Sequence, residues 1–132
     1  MVGRSRDLLA VMDKVGYRQS IAAGIQYLRR EQEADGSWFG RWGTNYIYGT
    51  WSVLSALEHV STVDVGDMVK RAAEWLKSIQ HADGGWGESN DSYEDSTRGC
   101  EGDRSTAFQT AWALLGLMAA GEGDSKAVRR GV

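Results

Sequence analysis

Two stretches of the chain, roughly Arg18–Gln32 and Asp67–Gln80, place apolar residues at three- and four-residue spacings and charges on the opposite side. Ile21, Ile25 and Leu28 form the first stripe, and Val69, Ala72 and Leu76 the second. That period predicts amphipathic helices lying on the outside of a core. Two other stretches, Thr50–Val60 and Thr110–Gly121, are small or apolar on nearly every side and predict helices buried all round. A further helix near Ser5–Val15, with Leu8, Leu9, Val11, Met12 and Val15, is expected in the inner layer. Asp35-Gly36 and Asp83-Gly84 supply turn chemistry where the amphipathic helices must stop. Ser105 or Thr106 stands where a cap is needed for the helix over 106–120. No segment reads as a strand. The fold class is therefore all-α, with inner apolar helices alternating with outer amphipathic ones in stacked hairpins.

The pattern repeats. "YLRREQEADGSW" (Tyr27–Trp38) and "WLKSIQHADGGW" (Trp75–Trp86) align over a register of 48 residues, with Gln32/Gln80, Ala-Asp-Gly and Trp38/Trp86 coincident. Periods of this size mark repeated supersecondary units. A third copy is read at the C-terminus, where "VRRGV" (Val128–Val132) matches "VKRAA" (Val69–Ala73), as a repeat cut short. The inner segments align through Trp51/Trp112 and Leu54/Leu115. A plain helical repeat without chemistry would produce the same periodicity.

Composition narrows the function. At 132 residues the chain suits one domain, here 1–132, and its 42% hydrophobic and 25% charged content is ordinary for a globular protein. Six Trp and no Pro are not ordinary. A net charge of −3 argues against nucleic acid as a partner, since that needs a basic face. Glu88, Asp91, Glu94, Asp95, Glu101 and Asp103 face only Arg98 as a counter-charge, so residues 88–104 are expected to form a flexible, solvated acidic loop. The single Cys100 precludes an internal disulfide and suits a reducing compartment. Met1–Asp13 shows no signal peptide, and Ala111–Ala120 is too short to span a membrane. The expected location is cytoplasmic, with peripheral membrane attachment left open. Cys100, His59 and His81 have no recognisable ligand spacing, so neither a metal nor any other cofactor is expected.

Between the repeats, "DGSWFGRWGTNYIYGTW" (Asp35–Trp51) mixes rigid aromatics with Gly in a way a core does not require. The Gln…Gly-x-Trp arrangement, Gln32…Gly36-Ser37-Trp38 and Gln80…Gly84-Gly85-Trp86, resembles the QW motif of triterpene cyclases. "DGSWFGRWGTNYIYGTW", "DGGWGESNDSYED" and "STAFQTAWALLGLMAAG" follow in the same order as in squalene–hopene cyclases. The resemblance covers about Leu8 to Val132 and matches the C-terminal half of that family. It implies part of an α/α-toroid around a cavity that folds squalene into polycyclic products. It also implies a structural role for Gln32, Gly36, Trp38, Gln80, Gly84 and Trp86, which tie adjacent outer helices together. Trp42 and Tyr48 fall on cavity-lining positions of the family. Aromatic faces there stabilise carbocations without attacking them. Gly40, Gly43 and Gly49 would let the backbone pass close to such a wall. Read from this chain alone, Trp42 and Tyr48 are equally core aromatics.

The resemblance has gaps. The family protonates its substrate with an Asp-x-Asp-Asp motif, which neither Asp64–Asp67 nor "YED" provides. Ala34, Ala82 and Ser96 stand where the family commonly has Pro. The chain is thus expected to supply part of a cavity and no catalytic acid. Its partners would be squalene or a similar polyene once the barrel is completed, with other cyclase segments or further copies of itself completing it. The alternative is a cyclase-derived interaction or lipid-binding module that self-associates through uncovered Trp51, Leu54, Trp112 and Leu115. A prenyltransferase β-subunit would need a zinc site. A thioester domain would need the Gln that "GCEGD" (Gly99–Asp103) lacks.

Overall fold

The computed structural model describes residues 15–132. The helix expected near Ser5–Val15 lies outside the described residues except at its last position. Five α-helices follow: α1 (Val15–Glu31), α2 (Asn45–Leu57), α3 (Gly66–Ser78), α4 (Ala107–Ala119) and α5 (Lys126–Gly131). The described residues contain no strand, only an isolated bridge between Gln32 and Trp38. The architecture is all-α.

The two apolar helices pack on each other. Trp51 of α2 lies against Trp112 and Gly116 of α4, while Tyr48, one turn earlier, lies against Trp112. The contacts advance together, so α2 and α4 run in the same direction. Helices α3 and α5 pack against this pair from one side, and α1 lies beside α2. Helix α3 shows why: Met68, Ala72, Ala73, Trp75 and Leu76 are buried, and its charged side chains form the other face. The starts of α4 and α5 are closed alike. Thr106 and Ser125 cap α4 and α5, their hydroxyls accepting from the N–H of Gln109 and Val128. Of the two candidate caps Thr106 serves, and Ser105 is used elsewhere.

The outer helices are joined by two matching polar clamps. In the first, Gln32 Nε2 donates to Gly36 O (2.9 Å) and to Met68 O of α3 (3.0 Å). Arg71 of α3 donates to Gln32 Oε1 and to the carbonyls of Glu33 and Ala34. In the second, Gln80 Nε2 donates to Gly84 O (2.7 Å) and to Ala127 O of α5 (2.8 Å). Arg130 of α5 donates to Gln80 Oε1 and to the carbonyls of His81 and Ala82. Trp38 and Trp86 are buried beneath, their indole N–H groups donating to Leu28 O and Leu76 O. Gly36 and Gly84 hold positive φ (103° and 93°) with the Arg71 and Arg130 backbones against them, so a side chain there meets both strain and a clash.

These bonds fix the register between copies. Gln, Gly and Trp repeat at 48 residues, but Arg71/Arg130 and Met68/Ala127 repeat at 59. The run from the clamp Trp to the inner-helix Thr is 24 residues in the second copy against 12 in the first, and the connection after it is one residue shorter. In the inner layer Thr50 and Thr110 do the same work, each hydroxyl accepting from a clamp Trp N–H. The inner register is therefore one residue away from the Trp51/Trp112 alignment. A one-residue shift turns a helix by about 100°. Accordingly Leu54 is 1% exposed and Leu115 is 48% exposed, so Leu54 is not part of an uncovered face.

The acidic segment also differs from expectation. It forms two 3₁₀ turns, Asp91–Tyr93 and Ser96–Arg98, and Arg98 pairs with Asp91 (2.8 Å) and Glu101 (3.0 Å). Glu88 and Ser92 are buried, and the Tyr93 ring packs edge-on against Phe39. The segment is a strap over the start of α2; Asp91, Glu94, Asp95, Glu101 and Asp103 are exposed as the charge pattern suggested, and Glu88 is the acid that departs from it.

Candidate functional site: an aromatic face on two parallel helices

Parallel packing of α2 and α4 gathers four aromatic rings. Trp51 and Trp112 stack at 5.9 Å with an interplanar angle of 9°. Tyr48 stands edge-on to both, at 5.5 Å from Trp51 and 5.0 Å from Trp112. Phe108, one turn before Trp112, meets it edge-on at 5.1 Å. Edge-to-face and offset pairs at these separations are the favoured arrangements of aromatic quadrupoles. Each turn of helix contributes a ring because the aromatics recur at three- and four-residue steps, 48/51 and 108/112.

Beyond the stack the face stays apolar and open. Trp51, Leu115, Met118 and Ala119 line a shallow concavity with Ser55 and Glu58 at its edge. Leu115 and Met118 are half exposed. A second concavity lies on the other side of Tyr48, between α1 and α2, lined by Tyr27, Leu28, Phe39, Ser52 and Val53 among others.

Of the two cavity residues expected from the resemblance, Tyr48 is in the cluster and Trp42 is not. Trp42 is 77% exposed and makes no ring contact with the cluster among the described residues. Gly43 separates them: at φ 68° it turns the chain, and its missing Cβ leaves room for the Tyr48 ring against the backbone. The Trp42 and Gly43 carbonyls accept from the Tyr93 hydroxyl (3.3 and 3.4 Å), so the strap holds this loop. Phe108, Gln109, Asn45 and Glu88 had no signal in the repeat. The i, i+4 spacing of Phe108 and Trp112 is the one local clue to the first.

Glu88 sits under the start of α2. Its Oε1 accepts from the Ile47 N–H at 2.6 Å, and the Cys100 thiol lies close to the carboxyl. Burial raises the Glu88 pKa above the ordinary carboxylate value, against the opposing pull of the Ile47 and Tyr46 N–H groups and the thiol. Burial first, and the neighbouring Glu88 charge second, push the Cys100 thiol far above its usual range. A thiol so protonated is no nucleophile.

His81, Ser105 and Asp83 also meet. Ser105 Oγ donates to Asp83 Oδ1 (2.8 Å) and lies 3.1 Å from His81 Nδ1. The order is wrong for hydrolysis, which needs the histidine between the other two. The first copy explains the arrangement. There Ser37 Oγ donates to Asp35 Oδ1 (2.7 Å), and in the second copy Gly85 has no hydroxyl to offer. Ser105 fills that place, its Oγ 2.6 Å from where a Gly85 Cβ would be. Asp83, held below its usual pKa by the Gly85 N–H and then by Ser105, is a turn residue. Among the described residues no three His, Cys, Asp or Glu side chains gather as a metal site, and no helix is long and apolar enough to cross a membrane.

The sequence of this chain is similar to known proteins along its length. The family described as "Squalene-hopene cyclase C-terminal domain" matches residues 1–132. A probable squalene–hopene cyclase of Sinorhizobium fredii is 59% identical over 114 residues, covering 86% of this chain and 18% of that protein. The squalene–hopene cyclase of Bradyrhizobium diazoefficiens is 57% identical over 112 residues, covering 85% and 17%. The dammaradiene synthase of Dryopteris crassirhizoma is 50% identical over 117 residues, covering 82% and 17%. The chain thus spans less than a fifth of the length of these relatives.

Proposed function

The chain belongs to the squalene–hopene cyclase family, and from that premise we propose that it contributes one wall of a cavity in which a squalene-like polyene is cyclised. The observation that carries this reading is the open aromatic face of Tyr48, Trp51, Phe108 and Trp112. Its rings offer electron-rich faces to a developing carbocation and no lone-pair nucleophile of comparable strength. The apolar margin of Leu115 and Met118 suits a hydrocarbon and keeps water away. Trp42 and Tyr48 border that cavity in the completed toroid, Trp42 from the loop before α2.

The initiating proton comes from elsewhere in this reading. An alkene is a very weak base and needs an unusually strong acid. The sequence has no Asp-x-Asp-Asp motif, and burial makes Glu88 a weaker acid than an ordinary carboxyl. The chain by itself is therefore inactive, and further cyclase segments complete the toroid around the substrate. It works in the cytoplasm, in peripheral contact with the membrane that supplies so apolar a substrate.

The test is complementation. The purified chain is incubated with squalene alone and with the remaining cyclase segments, and products are read by gas chromatography–mass spectrometry. Product is expected only in the complemented mixture; polycyclic product from the chain alone overturns the reading. The half-exposed Leu115 and Met118 and the exposed Trp42 favour a second reading, a module that self-associates or binds lipid through this face. Light scattering at micromolar concentration decides it: a stable monomer with no affinity for lipid vesicles removes that alternative.

A further inference from the structure

Helix α2 begins without a cap of its own. Thr44 holds the N-cap position with extended backbone (φ −106°, ψ 108°), yet its side chain makes no capping hydrogen bond. The vacant acceptor role falls to a carboxyl 41 residues away, because Ile47 N–H donates to Glu88 Oε1 and Tyr46 N–H faces the same group. A carboxylate at a helix N-terminus is favoured both by the free N–H donors and by the helix dipole.

Glu88 is in turn held by the other aromatic-bearing helix. Its own N–H donates to Gln109 Oε1 of α4 (2.8 Å), and its carbonyl accepts from Gln109 Nε2 (3.1 Å). Gln109 is 1% exposed. Asn45, the first residue of α2, adds a second tie to the strap, donating to Ser92 Oγ (2.6 Å) while accepting from Gly40 N–H (2.9 Å). A continuous line of buried polar contacts therefore runs from α4 through Glu88 into the first turn of α2.

As a device for stability alone this is a poor choice. Glu88 Oε2 is buried and has no hydrogen-bond partner among the described residues, and a buried unsatisfied oxygen costs more than an apolar side chain of the same shape. The gain is directional. Apolar packing between α2 and α4 tolerates a slip, whereas the Gln109–Glu88–Ile47 line accepts only one register. We propose that Glu88 is a positioning residue that sets the register of α2 against α4, and so fixes Tyr48 and Trp51 relative to Phe108 and Trp112. Its consequence for polyene cyclisation rests on the reading given above; the geometric claim does not.

The experiment uses the full 132-residue chain with three substitutions. Glu88→Gln keeps an acceptor for Ile47, Glu88→Asp keeps the charge but withdraws it by a methylene, and Glu88→Met keeps the shape without an acceptor. Amide exchange at Ile47 and near-ultraviolet circular dichroism of the Trp51–Trp112 stack are read well below the unfolding temperature. Exchange at Ile47 is expected to accelerate by about tenfold or more in the Asp and Met variants, and to stay within about threefold of the parent in the Gln variant. The aromatic dichroism should fall in the first two and persist in the third. Unchanged dichroism and Ile47 protection in the Asp variant, with only the melting temperature lowered, overturns the proposal. If the Met variant does not fold, the Asp–Gln contrast still decides. Because no squalene is involved, the outcome is independent of the complementation assay.

Discussion

Replacing Gln80 tests what joins the outer helices. Its Nε2 donates to Gly84 O at 2.7 Å and to Ala127 O at 2.8 Å, and both acceptor residues are buried. Gln80→Leu leaves the shape and removes both donors. Each such bond is worth about 0.5–1.5 kcal/mol net, so the expected cost is about 2 kcal/mol. Gln80→Glu separates the donor role from the acceptor role. The carboxylate still receives Arg130, at 3.2 Å in the parent, but turns lone pairs toward two carbonyl oxygens. At neutral pH it should cost about 3 kcal/mol or more, exceeding Leu despite its closer likeness to Gln. The sign of its pH dependence follows. Facing two carbonyls, the introduced carboxyl would titrate above its unfolded value of about 4.3, so its stability is present below that value and lost as pH rises through the folded one. Urea midpoints at constant slope give these differences. Gln32, which donates to the corresponding carbonyls of Gly36 and Met68 at 2.9 and 3.0 Å, should behave alike. The two clamps share no partner, so a double Leu variant should be additive within about 0.5 kcal/mol. A Glu variant at least as stable as the Leu variant at neutral pH would refute the reasoning.

Other outcomes follow from the second copy. Gly85→Ser makes the turn resemble Asp35-Gly36-Ser37, yet Ser105 already occupies the space with both its Cβ and its Oγ, so it should cost about 1–3 kcal/mol; adding Ser105→Gly, which removes both atoms, should recover most of this, as thermal unfolding would show. Glu88 has a raised pKa in the fold, so its contribution is fully present below the unfolded carboxylate value and falls as pH rises through the folded one. Stability–pH curves should lose that decline in Glu88→Gln. Cys100, partly buried and with its thiol pushed up, should react slowly with disulfide reagents in the native protein and at once in urea, counted by absorbance.

The local half of each clamp was legible in the sequence because it is built within a few residues: Gln to Gly in four, and Asp to the N–H two residues on. Its bonds to Met68, Arg71, Ala127 and Arg130 on the next outer helix leave no such local pattern. The all-α layers were legible from period alone. The inner register was not. Trp51 and Trp112 invite alignment because they are conspicuous, whereas the residues doing equivalent work are Thr50 and Thr110, and the stack between the two indoles is a contact between copies. Glu88 was read as one of a run of solvated acids. Its burial depends on Ile47 and Gln109, 41 residues before and 21 after, which no local pattern reports. Trp42 lies apart from the ring cluster and is 77% exposed, a placement set by the turn at Gly43 and by the strap's Tyr93, which no local pattern reports.

The role proposed for the face of α2 and α4 is that of a wall for a cyclising polyene. The most direct measurement is squalene conversion by a chimaera in which this chain replaces the matching segment of the Bradyrhizobium diazoefficiens relative. Conversion to polycyclic product is expected, with at least about a tenfold loss of turnover in Tyr48→Leu and Trp112→Leu chimaeras that remain folded. A folded chimaera that is inert, or one whose turnover ignores both substitutions, would contradict it.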